Sequence, residues 1–192
     1  MVKLNFLGPY SWLDMPDAPS LLEAETSRHP GIYLWTIPLA HGHLVYYVGE
    51  TGRAFRVRML EHYKEHASGM YHLYDPERFA KGEKISLWPG RYDVGERKTA
   101  LECIAAYPHL CRAITELTGI YRFLLAPLEC DARLRRRIEA AIAAELMCQS
   151  DPMGSFQEPG VRYHPRRGSE SSLHIDVESA VPILGMPNSL VV

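Results

Sequence analysis

Gly31-Ile32-Tyr33-Leu34-Trp35 and Val45-Tyr46-Tyr47-Val48-Gly49, followed by Glu50-Thr51-Gly52-Arg53-Ala54-Phe55-Arg56-Val57-Arg58-Met59-Leu60-Glu61-His62, decide the fold. Both short runs are rich in β-branched and aromatic residues, which suit a pleated, half-buried surface. Pro38 and His41-Gly42-His43 between them supply the turn of a hairpin. Gly49 and Gly52 end the second run, and beyond them the apolar spacing becomes helical. Phe55, Met59 and Tyr63 recur at i, i+4, i+8 and form a stripe that packs on the sheet. Arg58 and His62 are four apart and share the helix face beside that stripe. Alternation along the second strand places Tyr46 and Tyr47 on opposite faces, so Tyr46 is expected only to pack.

Working outward, Lys3–Leu7 reads as a short strand, and Ser20–Ser27 as a weak helix capped by Ser20 with Glu23 three residues on. Residues 67–95 are loop-rich. The helical run Arg97–Leu117 should split at Pro108, which lacks a backbone N–H and crowds the preceding turn. Ile120–Leu128 has the composition of a third strand, with Pro127 at an end or an exposed edge. Asp131 caps a helix running to about Gln149, buried along Leu134, Ile138, Ala141, Ile142 and Leu146. Leu173–Val181 is a candidate strand in the tail.

The ordered set resembles the GIY-YIG nuclease family: Gly31-Ile32-Tyr33, then Tyr47-Val48-Gly49, then Arg58-x-x-x-His62, then a later helical glutamate. Gly119-Ile120-Tyr121 repeats the first tripeptide but has no Tyr-Val-Gly after it. The resemblance implies an α/β (α+β) domain: a small, mostly antiparallel, three-stranded sheet flanked by helices, over residues 31–150. Residues 1–30 would be an N-terminal extension, about 70–118 an insertion, and 151–192 a C-terminal extension packed on the same domain.

Hydrolysis of a phosphodiester needs an activated water, a neutralised phosphorane-like charge and a stabilised leaving oxygen. The resemblance assigns the water to Tyr47, as general base or water-positioner, with Tyr33 orienting the water or bonding Tyr47. It assigns the phosphate to Arg58, phosphate contact or proton relay to His62, and a magnesium or manganese ion to Glu139. Magnesium suits a single carboxylate because it keeps several of its waters. Arg56 is the alternative to Arg58, and Glu145 to Glu139. Read alone, Glu139 would be a surface glutamate paired with Arg135 one turn earlier. Gly31 and Gly49 should let backbone approach a helix or the substrate. Family members often carry an asparagine after the glutamate helix; here Ser155 or Gln157 is the nearest polar stand-in.

The chain has 192 residues, 46% hydrophobic and 23% charged, with a formal net charge of −2. That charge gives no global case for nucleic acid, but Arg53, Arg56 and Arg58 cluster on one helix and Arg133, Arg135, Arg136 and Arg137 on another. A DNA-facing surface depends on the contacting face, and Arg53, Arg56 and Gly49 are the expected substrate contacts. Cys103, Cys111, Cys130 and Cys148 form no CxxC, which favours free thiols over a zinc site. No apolar run approaches the ~20 residues that span a bilayer, and no signal-peptide pattern opens the chain, so a cytoplasmic location is the expectation. The expected activity is metal-dependent cleavage of DNA, double-stranded in preference, with a homodimer able to cut both strands. The competing expectation is a module of similar fold that binds nucleic acid or protein without cutting.

Overall fold

The computed structural model describes residues 2–93, 95, 98–158 and 163–192. Its centre is the hairpin of β2 (Gly31–Leu39) and β3 (Gly42–Thr51). The third strand, β6 (Arg122–Pro127), pairs antiparallel with β2, Gly31 opposite Pro127 and Trp35 opposite Phe123. The sheet does not stop at the three strands expected. β1 (Val2–Tyr10) pairs antiparallel with β6 and parallel with β7 (His174–Ser179), and β8 (Ser189–Val191) adds to β7. The result is a mixed α/β protein with a six-stranded sheet in the order β3-β2-β6-β1-β7-β8. The segments before residue 31 and after residue 151 thus contribute strands to the main sheet. A separate two-stranded sheet joins β4 (Leu73–Tyr74) to β5 (Ser86–Trp88).

Period-two burial divides the sheet into two cores. Tyr33, Trp35, Phe123 and Leu125 face Phe55 and Met59 of α1 (Phe55–Ala67) and Leu110, Ile114 and Leu117 of α3 (Ala100–Ile120). Ile32, Leu34, Val48, Leu124 and Ala126 face Ile138, Ile142, Ala143 and Leu146 of α4 (Ala132–Met147). The insertion belongs to the first core: Leu73, Tyr74, Trp88 and Phe79 of α2 (Pro76–Phe79) pack in the same cluster as Tyr33 and Trp35. Asp131 caps α4, accepting from the N–H groups of Arg133 and Leu134 at 2.8 and 3.0 Å.

Three local expectations need correction. Between Ser20 and Ser27 only a 3-10 turn, Glu25–Arg28, forms, and Ser20 bridges to Ser11 instead of capping a helix. α3 runs unbroken through Pro108. The residue and the preceding turn at Ile104 (70% exposed) lie on the solvent side, where water can satisfy the carbonyl the proline leaves free. A reciprocal cap between Thr99 and Glu102 fixes the start of that helix. The third correction lies in β3. Trp35 faces Tyr47, but Thr36 faces Val45, so Tyr46 is an extra residue in a β-bulge. The bulge turns Tyr46 and Tyr47 to the same side, where both line one cavity.

Candidate active site

Gly31 anchors the entry to the hairpin. Its φ is +151°, and a Cβ there would stand 2.8 Å from Leu128 N and 2.9 Å from Phe55 Cζ. Side chains rarely tolerate that backbone region, and the space is already filled. At the other end, Gly49 is buried opposite Tyr33, and an added Cβ would stand 2.6 Å from Tyr33 Cε2. Gly49 therefore makes room for the Tyr33 ring, which fills the space a side chain would take.

Tyr33, fully buried, brings its hydroxyl 2.8 Å from His62 Nε2. The other ring nitrogen of His62 lies 2.7 Å from the hydroxyl of Tyr71. Two phenols thus bracket one imidazole. Burial, with Arg58 next to it, holds the His62 pKa down to about 3, so the ring is neutral at physiological pH. A neutral imidazole accepts from one phenol and donates to the other, which makes the trio a proton relay or a rigid brace, not a cationic phosphate contact.

Tyr47 stacks on Tyr33 with ring centroids 6.1 Å apart and stands 5.7 Å from the His62 ring. Burial pushes both phenols above the usual tyrosine pKa, more so for Tyr33. Both hydroxyls are protonated at neutral pH in the metal-free protein, so each can donate a hydrogen bond as well as accept one. Arg58 approaches both. Burial works against its charge, but Tyr33, Tyr47 and Glu61 more than offset this. It also donates to Glu61 at 3.2 Å, and its side chain is one-third exposed to the cavity it lines.

Glu61, which the sequence did not single out, is shared with Arg53. That arginine reaches it by two bonds of 2.7 and 2.8 Å, a fork-to-fork geometry on the surface. Arg53 is therefore already engaged. Arg56 is exposed and makes no ion pair among the described residues. The second arginine cluster is largely occupied within the protein. Arg133 pairs with Glu170, Arg137 donates to the carbonyls of Ser171 and Val192, and Arg135 pairs with Glu50 at 2.9 Å. Only Arg136, half exposed and 3.6 Å from Glu50, remains on the surface beside the site.

Glu139 is buried, at 6% exposure, while its rival Glu145 is exposed. The expected pair with Arg135 does not form, because Arg135 has turned to Glu50. Among the described residues no cation comes within ion-pair distance of Glu139. Burial raises its pKa to about 7, helped by the Glu50 carboxylate and opposed by the Glu50 backbone N–H, Arg136 and Arg58. A buried carboxylate without a counter-cation is costly and attracts a metal ion or a proton. Among the described residues no group of three or more His, Cys, Asp and Glu side chains could hold a metal ion. The donor set thus fits an ion that takes one carboxylate and keeps its waters, as magnesium does, and not zinc. The four cysteines are free thiols.

Ser155 is exposed and bonded to the carbonyl of Pro152, so it does not reach the site. Gln157 is buried at 3% exposure with both amide atoms unpartnered, and it does not line the cavity. A residue the sequence reading missed stands closer. The hydroxyl of Tyr163 is buried without a hydrogen-bond partner, and its pKa is raised by burial, then by Tyr47 and Glu139. No spacing pattern marks Tyr163, Tyr71 or Glu50; only the tertiary fold gathers them.

Compared with protein-family models, with curated proteins and with solved structures, the chain finds no significant match in any of the three.

Proposed function

We propose that the protein is a metal-dependent endonuclease that hydrolyses DNA phosphodiesters through a GIY-YIG-like site built on β2, β3, β6, α1 and α4. The observation that carries this reading is the convergence of Tyr33, Tyr47, Arg58 and His62 in one hydrogen-bonded aromatic cluster, with Glu139 buried and, among the described residues, without a cation at ion-pair distance. Glu139 would hold a magnesium or manganese ion, and that ion, when bound, supplies positive charge to the phosphate. Arg58 binds the scissile phosphate through its fork of donors, which keeps its charge throughout. Tyr47 orients the attacking water through a protonated hydroxyl. The Tyr33–His62–Tyr71 chain fixes the ring of its stacked neighbour and offers a path for a proton between two phenols.

The test is relaxation of supercoiled plasmid with magnesium or manganese and with chelator. Metal-dependent nicking supports the proposal. No nicking of supercoiled, branched or single-stranded DNA by folded protein refutes it. The second reading, a binding module that does not cut, draws on the near-neutral charge and on the engaged arginines of α4. It predicts DNA binding that is unchanged by chelator.

A further inference from the structure

The cavity that Tyr47, Arg58 and His62 line extends well past them. It measures about 660 Å³ and is walled by Trp35, Tyr46, Tyr71 and Tyr92. That size falls among sites of ~300–1,000 Å³ that enclose a small molecule. A single phosphate beside Arg58 would leave most of it unfilled. Its lining also includes Glu158, whose Oε2 accepts from the hydroxyls of Tyr46 at 3.3 Å and Tyr74 at 3.1 Å. The Glu158 N–H also donates to the Tyr46 carbonyl at 2.8 Å, so the carboxylate is fixed to the bulged strand. Lys84, held to the Gln157 carbonyl at 2.9 Å, stands behind it over the Tyr74 ring.

We infer that this cavity receives one nucleotide of the bound strand, with its base turned out of the duplex beside the phosphate on Arg58, and that Glu158 reads an exocyclic amino group on that base. The inference rests on the nuclease reading for the strand itself. An arginine and several aromatic side chains in one lining match the phosphate and the base of a nucleotide. Carboxylate oxygens accept hydrogen bonds, so the site favours bases with an exocyclic amino group, such as cytosine and adenine, over thymine, which has none and offers only its N3–H between two carbonyls. Tyr71 and Tyr92, with centroids 6.0 Å apart, come from the segment inserted between the arginine helix and the glutamate helix. The insertion thus becomes the part that selects the substrate. Turning a base out of a duplex costs a few kcal/mol, and an already unpaired base avoids that cost.

The experiment measures binding, in chelator so that nothing is cut, to short duplexes that are fully paired or carry one unpaired C, A or T. Unpaired C and A should bind about tenfold or more tighter than the paired duplex and about fivefold or more tighter than unpaired T. Glu158→Gln should remove the discrimination among bases. Tyr92→Ala, at a ring 59% exposed, provides a variant whose folding is not at risk. It should weaken binding of the unpaired duplexes at least about fivefold while leaving the paired one unchanged. Equal binding of all four duplexes overturns the inference, as does a preference for unpaired bases that ignores their identity. Plasmid cleavage without this selectivity would refute the pocket and leave the nuclease standing. Selective binding without cleavage under any metal would do the reverse.

Discussion

Replacing Glu139 by glutamine should make the metal-free protein more stable, in a manner set by pH. The carboxyl has a pKa of about 7 in the folded protein against an ordinary value of 4.5, because burial and Glu50 disfavour its charge. Below pH 4.5 the group is protonated folded and unfolded, and it contributes no difference. Between 4.5 and about 7 the folded state binds more protons than the unfolded state, so this group lowers stability as pH rises. Above that window the penalty is complete, and at 1.36 kcal/mol per pKa unit it amounts to about 3 kcal/mol. Glutamine has no charge to bury and keeps the shape. Urea unfolding of both proteins in chelator, from pH 4 to about pH 8, reads the effect. The gap between variant and wild type should open from near zero to about 3 kcal/mol, or roughly 6–12 °C in melting temperature for a chain of this size. Magnesium should then raise the stability of the wild type and not of the variant, since a bound ion stabilises the state that holds it. A gap that is constant with pH, or negative at pH 8, would refute the claim that Glu139 is a buried carboxylate waiting for a cation.

Other substitutions test other parts. Gly49→Ala should cost about 1–3 kcal/mol in thermal unfolding and abolish cleavage, because the new Cβ collides with the buried Tyr33 ring, which has nowhere to move. Tyr33→Phe keeps the stacking on Tyr47 but strands His62 Nε2; a drop of about 10²-fold in cleavage rate with only ~1 kcal/mol lost in stability would fit the relay. Arg122, 7% exposed in its side chain, forks onto Asp17 at 2.8 and 2.9 Å and donates to the Gly119, Ile120 and Tyr121 carbonyls that end α3. Asp17 is 55% exposed in its side chain and can be resolvated, so Arg122→Ala should cost about 1–3 kcal/mol in urea unfolding, chiefly for the carbonyls it strands, and serves as a control away from the site.

The hairpin, α1 and α4 could be read from the sequence because each carries its own signal. Paired β-rich runs around Pro38 and Gly42 announce the strands, and Phe55 with Met59, or Ile138 with Ile142, announces a helix face. Width could not be read. β1 and β7 look like isolated apolar stretches, and that Val2 pairs with Ile175 follows from the closing of the whole chain, not from either stretch. The bulge at Tyr46 has no local signature, since two consecutive tyrosines fit a regular strand equally well, and one extra residue moved Tyr46 to the cavity side. Pro108 misled because a proline ends a helix most strongly where its lost hydrogen bond is buried, whereas here that face meets water. The ordered motif points to Tyr33, Tyr47, Arg58, His62 and Glu139, and in the structure the first four share one cluster, with the charge of Glu139 felt by the Tyr33 and Tyr47 phenols. Their partners escaped it because Glu61 holds Arg58 and Arg53, Glu50 holds Arg135, and Tyr71 holds His62 through contacts that depend on tertiary placement.

The most direct test of the account is single-turnover cleavage of plasmid DNA with magnesium, comparing wild type with Arg58→Ala and Glu139→Gln, each verified as folded by circular dichroism. Nicking by the wild type should vanish in chelator and fall by at least about 10²-fold in both variants. Equal activity in Glu139→Gln, or cleavage that persists without metal, would contradict it.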